Sequence, residues 1–260
     1  MAWDVAQYEA FRDERARPFF DLLARVPGDG VRLAVDLGCG TGELTRHLSD
    51  RWPEARVIGV DNSADMLAAA ASRAIDGRLA FVRGDLAAYT PEAPPGLILS
   101  NAAFHWVDDH GPLLDRLAAA LAPGGHLAVQ MPANFDAASH MLLAETAAEG
   151  PWAARLAGSG ALRHHAVHPL SFYADRLLAA GLSVDAWETV YLHLLRGDDA
   201  VLAWVRGTAL RPVLALLEPG EAAAFNADYA ARLRTAYPRG EHGTFFPFRR
   251  IFFVATKESA

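Results

Sequence analysis

Val35-Asp36-Leu37-Gly38-Cys39-Gly40-Thr41-Gly42-Glu43-Leu44 is an apolar run that breaks into three alternate glycines and resumes as the first turn of a helix. A strand that stops at a glycine loop before a helix is the usual seat of a nucleotide-like ligand. Glycine lets the main chain come close, and the helix N-terminus offers unpaired N–H groups. The loop alone does not say which ligand.

Outward from the loop, the hydrophobic period switches regularly between two and 3.6. Strands are expected at Leu33 to Leu37, Arg56 to Val60, Leu79 to Val82, Leu97 to Ser100 and His126 to Met131. Helical patterns at Gly42 to Ser49, Ser63 to Arg73 and Asp109 to Leu121 separate them. This alternation predicts an α/β, Rossmann-like fold, a mostly parallel sheet with crossover helices on both faces. Two short helices are expected upstream, Asp4 to Arg12 and Pro18 to Arg25, the second with Pro in its first turn. Downstream come a helix at Ala137 to Ala148, a mixed connection from Pro151 to Pro169 and a helix at Ser171 to Ala180. Two long β-rich runs follow, Ser183 to Leu194 and Phe245 to Thr256. The roughly 50 residues between those runs carry helical patterns at Ala200 to Arg206 and Glu218 to Ala236, too long for a plain connection. The organisation read from this is an N-terminal helical cap segment (1–30) and one main domain (31–260), with a helical substrate cap inserted at about 196–244.

The 260 residues, 52% hydrophobic and 21% charged, describe a globular protein without a bilayer-spanning run. The formal net charge of −7 argues against a broad nucleic-acid footprint. The opening MAWDVAQYEAFRDERARP puts charges where a signal peptide needs an apolar core, and the single Cys forms no internal disulfide, so a cytoplasmic location is expected. Oligomeric state stays open, with a monomer compatible.

The glycine spacing is Gly-x-Gly-x-Gly, not the Gly-x-Gly-x-x-Gly of dinucleotide sites, and no Gly-Lys-Ser/Thr follows to cradle a polyphosphate. The second strand ends at Asp61, placed to accept hydrogen bonds from ribose hydroxyls. The third ends at Gly84-Asp85-Leu86, where an acidic group can read an adenine amine. Three carboxylates suit a cationic ligand. S-adenosylmethionine carries a sulfonium and an ammonium, with Asp36 near the ammonium end, Asp61 at the ribose and Asp85 at the adenine. Cys39 reads as a small residue in a tight loop rather than a nucleophile.

VDLGCGTG, VIGVDNSADML, FVRGDL, LILSNAAFHWV and LAPGGHLAVQMP, in that order, resemble the motif series of class I S-adenosylmethionine-dependent methyltransferases. The resemblance implies a seven-stranded sheet with its last strand antiparallel, and the donor lying across the carboxyl ends of the first strands. It also implies donor contacts from Asp36, Gly38, Gly40, Asp61, Asp85 with Leu86, and Asn101, with Met66 on the adenine side. Outside the donor site, YEAFRDERARPFFDLLARV, AVQMPANFDAASH, WETVYLHLL, WVRGTALRP and FPFRRIFFVA resemble bacterial trans-aconitate 2-methyltransferases over nearly the whole chain.

That second resemblance implies methyl esterification of a carboxylate, with S-adenosylhomocysteine as the other product. A carboxylate with a pKa near 4 is ionised at neutral pH, so no general base is required. Alignment and water exclusion are what the protein must supply. The other carboxylates of the acceptor call for Arg forks, and the candidates are Arg15, Arg17, Arg211, Arg249 and Arg250. Arg249 and Arg250 alternate along a strand and cannot both enter one pocket; Arg211 and Arg249 are the preferred pair. His105 and Trp106 follow Asn101 beside the expected transfer point, His105 as a carboxylate ligand or a turn cap. Tyr8, Phe11, Tyr173, Trp204 and Phe246 are candidates for an apolar wall. His164, His165 and His168 match no metal motif, so no metal is expected. Another small acid or natural product as acceptor, and a donor-binding regulator without turnover, are the alternatives.

Overall fold

The computed structural model of the chain describes residues 12–162 and 167–259, with side chains described from residue 16 onward. The expected helix from Asp4, together with Tyr8, Phe11, the side chain of Arg15, His164 and His165, lies outside the described residues. The first described helix, α1 (Arg12–Arg25), starts earlier than its sequence pattern suggests and carries Pro18 inside it. Pro18 has no N–H to give to the preceding turn, a cost of about 3 kcal/mol in a helix interior. Docking offsets it: Phe19, Leu22 and Leu23 are buried at helical spacing against the sheet, and each such side chain contributes about 1.5–3 kcal/mol.

The α/β alternation follows as β1 (Leu33–Leu37), α2 (Glu43–Arg51), β2 (Arg56–Asp61), α3 (Ala64–Ala70), β3 (Leu79–Arg83), β4 (Leu97–Asn101), α4 (His110–Ala120) and β5 (His126–Pro132). Then come α5 (Ala138–Glu149), α6 (Ala153–Leu156), α7 (Leu170–Ala179), β6 (Leu182–Leu195), α8 (Ala200–Arg206), α9 (Arg211–Leu214), α10 (Pro219–Ala236) and β7 (Thr244–Lys257). The seven strands form one sheet in the order β3-β2-β1-β4-β5-β7-β6. The first five pair in parallel, while β7 runs antiparallel to both of its neighbours. This is the Rossmann-like architecture with an antiparallel last strand that the sequence implied.

The central strands β1, β2, β4 and β5 are covered on both faces, which is why they read as nearly continuous apolar runs, while β3 and β6 are partly exposed. On one face Val35, Leu37, Ile58, Ile98, Leu127, Val129 and Phe253 pack with α4 and α7. On the other, Ala34, Val57, Leu97, Leu99, Ala128, Phe252 and Val254 pack with α1 and α2. A third cluster, including Leu143, Trp152, Trp204, Phe225, Tyr229 and Phe246, unites α5, α6, α8, α9 and α10 over the outer ends of β6 and β7. Tyr229 Oη donates to the Ser139 carbonyl at 2.6 Å and fixes α10 to α5.

Candidate active site

The glycine loop closes the carboxyl end of β1. Gly38 and Cys39 both donate to the Val60 carbonyl, at 2.8 and 3.0 Å, which pins the loop to β2. Gly38 needs its glycine: φ is +84°, and a Cβ would stand 2.2 Å from Ala103 Cβ. Gly40, at φ +55°, has open space where its Cβ would lie, so the loop offers bare backbone to a ligand there. α2 begins with Gly42 as its cap, in left-handed backbone and with no side-chain cap hydrogen bond, so the helix N-terminus faces the loop with main chain alone.

Asp61, at the end of β2, accepts from Gly40 N and from Ser63 N, both at 2.9 Å, one on each carboxylate oxygen. Each oxygen keeps a lone pair for a further donor. Ser63 also caps α3, accepting from Met66 N at 3.3 Å, and Met66 stands half-buried in the first turn of that helix. Asp85 is exposed after β3 and takes Ala87 N at 2.9 Å, with Leu86 packed inward behind it.

Asp36 is buried beneath the loop at 3% exposure and takes the Thr45 hydroxyl at 2.6 Å. Burial pushes its carboxyl up to about 7; Thr45 opposes the shift and Asp61 adds to it. Burial, followed by Asp36 and Asp61, also drives the Cys39 thiol far up. Cys39 stays protonated, its Sγ directed to the Gly40 carbonyl, and no nucleophile is present there.

Beyond β4 the chain turns at Ala102, whose φ of +53° is the one positive value among described non-glycine residues. Such backbone is strained for alanine and marks functional turns. It sits between Asn101, whose buried Oδ1 has no hydrogen-bond partner, and the turn Phe104–Trp106. In that turn His105 is buried and Trp106 is 47% exposed, their rings 4.8 Å apart.

The expected donor residues therefore gather along the carboxyl ends of β1 to β4. Their chemistry fits S-adenosylmethionine: bare backbone at Gly40, a carboxylate with spare acceptors at Asp61, and an orphaned amide oxygen at Asn101 suited to an ammonium. The arginines do not gather. Arg249 projects to the opposite face and forms ion pairs with Asp136 and Glu188, both at 3.3 Å. Arg211 opens α9 in the helical cluster, half-buried. Arg17, on α1, has its guanidinium 5.3 Å from the centroid of Tyr191. Arg250, 6% exposed, is on the Asn101 face instead, its guanidinium 4.6 Å from the Phe248 ring centroid.

Of the aromatics singled out, Tyr173 belongs to the core under α7, where its hydroxyl meets His110 Nδ1 at 2.7 Å. Trp204 and Phe246 line the helical cluster, with Trp204 against His193. His168 stacks on Phe172, and no group of three metal-binding side chains occurs among the described residues. A surface cleft of about 450 Å³ lined by Asp115, Arg176 and Lys257 lies at the other end of the sheet, remote from this chemistry. Gln130 and His193 were passed over in the sequence; the signal at Gln130 is a lone amide inside the apolar run LAVQMP.

A methyltransferase-domain model matches residues 34–125, the span from β1 to the turn before β5. Over 99% of the chain, the sequence is 52% identical to a trans-aconitate 2-methyltransferase of Streptomyces avermitilis, covering 98% of that protein. It is 45% identical to the trans-aconitate 2-methyltransferase of Rhizobium meliloti, with 99% of each chain covered. Among solved structures, the YcgJ protein of Bacillus subtilis shares the fold at TM-score 0.60 and 15% identity, over 94% of this chain and 99% of that one. A Haemonchus contortus phosphoethanolamine N-methyltransferase 2, in complex with S-adenosyl-L-methionine, aligns at TM-score 0.54 and 18% identity, over 94% of this chain and 53% of that one. The likeness at 45–52% identity runs from end to end, through the helical cluster and both long strands as well as the glycine loop, and the chain belongs to the trans-aconitate 2-methyltransferase family of class I methyltransferases.

Proposed function

We propose that the protein transfers the methyl group of S-adenosylmethionine to a carboxylate of trans-aconitate, giving a monomethyl ester and S-adenosylhomocysteine. One observation carries the acceptor: identity with trans-aconitate 2-methyltransferases extends through the regions outside the donor-binding half. The donor supplies an electrophilic methyl on sulfonium. In this reading Gly38 and Gly40 bring backbone against it, Asp61 holds the ribose, Asp85, Leu86 and Met66 hold the adenine, and Asn101 with Asp36 face the ammonium.

The acceptor carboxylate is ionised at neutral pH, so the chain has no proton to remove from it. What its residues contribute is position and dryness, and well-oriented systems gain about 7–11 kcal/mol in this way. His105 and Trp106, at the exit of β4, flank the transfer point. We read α8 to α10 as the cap over the acceptor and α1 as its second wall, with Arg17 at the rim. We further read the protein as a cytoplasmic enzyme acting on a free small molecule, a reading that the net charge of −7 favours over a nucleic-acid partner.

Incubation with donor and trans-aconitate, followed by mass spectrometry, should yield the monomethyl ester together with S-adenosylhomocysteine. No ester at millimolar acceptor, with donor binding intact, would remove the acceptor assignment and leave the fold untouched.

A further inference from the structure

The face of the sheet that carries Asp36 and Asn101 continues, strand by strand, into a row of polar side chains outside the donor site. Asn101 on β4 pairs with Gln130 on β5. Pro132, two residues beyond Gln130, pairs with Arg250 on β7. Arg250 pairs in turn with Thr189 on β6, which shares its face with Tyr191 and His193. Paired residues share a face and side chains alternate along a strand, so Asn101, Gln130, Arg250, Tyr191 and His193 project to one side.

Helices wall this row. From α1, Asp21 accepts the Tyr191 hydroxyl at 2.6 Å. From α8, the Trp204 ring stands 4.7 Å from the His193 ring. Within these walls hydrogen-bonding capacity goes unused. Gln130 is fully buried, and neither its Oε1 nor its Nε2 has a partner. His193, 8% exposed, has an unmatched Nε2. Buried polar groups in folded proteins are nearly always matched, and two unmatched on one face point to a ligand.

The field there is positive. Burial first, then Arg250 and Arg17, push the His193 imidazole down to about 4, so it stands neutral with one N–H to give. Asp21, the carboxylate facing the row from α1, is already engaged by Tyr191. Gln130 lies across from Phe252 and His193 across from Phe246, six residues apart along β7 with Arg250 between them, so the two donors call for two carboxylates of one acceptor, with the Arg250 guanidinium between.

We propose that Gln130, His193 and Arg250 form the subsite for the acceptor carboxylates that are held rather than methylated, on the Asn101 face between α1 and α8. The inference rests on the reading of the acceptor as a polycarboxylate. It assigns anchoring to the β5-β7-β6 ribbon rather than to Arg211 and Arg249.

The test compares Gln130→Leu, His193→Gln and Arg250→Gln with the unaltered enzyme, measuring KM and kcat for trans-aconitate and donor Kd by calorimetry. KM should rise at least tenfold in each variant while donor Kd stays within twofold. Gln130→Leu keeps the side-chain volume and removes an unmatched amide, so it should melt no lower than the parent; it carries the test if the Arg250 variant fails to fold. Unchanged KM in Gln130→Leu and His193→Gln, in an enzyme that methylates trans-aconitate, would overturn the subsite and leave the activity standing. So would a loss of donor affinity in place of acceptor affinity. If the unaltered enzyme methylates no di- or tricarboxylate, the acceptor reading fails first and the subsite falls with it.

Discussion

Gly40 and Asp61 are joined by a 2.9 Å hydrogen bond from backbone amide to carboxylate, and the second oxygen of that carboxylate holds Ser63 N at the same distance. One side chain thus couples the glycine loop after β1 to the start of α3.

Asp61→Ala removes both acceptors at once and strands two amides. Donor affinity should fall by about 1–3 kcal/mol, the cost of an unpaired polar group, with the sheet intact. Calorimetric titration with the donor checks this, and an affinity equal to that of the parent would take Asp61 out of the site.

Gly38→Ala places a methyl group 2.2 Å from Ala103 Cβ on a backbone at φ +84°. Both the clash and the backbone conformation penalise it, by about 1–3 kcal/mol. Urea unfolding should show that loss. Gly28→Ala, where an added Cβ meets nothing, serves as the reference.

Asp36 links folding to pH. Its carboxyl in the folded protein titrates at about 7 against an ordinary 3.8, so the folded chain keeps a proton that the unfolded chain releases. Its contribution is fully present below about pH 4 and is lost as pH rises to about 7, at up to about 1.4 kcal/mol per unit. Asp36→Asn should flatten this slope in urea unfolding measured between about pH 4 and pH 7. A cationic donor favours the ionised form, so donor affinity should rise over the same interval in the parent and not in the variant.

Phe19→Ala tests how α1 is held. Phe19 is fully buried and meets Phe20 edge-on at 5.3 Å between ring centroids. Truncation should cost about 3–5 kcal/mol and expose α1 to proteolysis before the sheet. Equal protease resistance in variant and parent would contradict docking as the reason that a helix tolerates Pro18.

Much of this arrangement was legible in the linear sequence, for identifiable reasons. β1, β2, β4 and β5 are buried on both faces, so each is a short apolar block ended by a turn, and Leu33–Leu37 and Ala200–Arg206 emerge with the bounds their patterns suggest. Asp36 and Asp61 were readable because each is a carboxylate at or near the end of an apolar strand pattern beside the glycine loop. The short α9 and the turn Phe104–Trp106 were not, since a single turn is too brief to show a period. Nor was the row from Asn101 to His193, because its members lie far apart in sequence and meet only through the β4-β5-β7-β6 order. The alternation of Arg249 and Arg250 was evident; which of them faces Asn101 depends on the pairing of Arg250 with Pro132.

The insertion of β7 between β5 and β6 bears on biosynthesis. The last of the seven strands to emerge from the ribosome fills the place between β5 and the edge strand β6. Until Thr244–Lys257 is translated, β5 and the fourteen-residue β6 each present an open edge to the cell. Both edges are templates for mispairing until the last strand seats between them and closes the sheet.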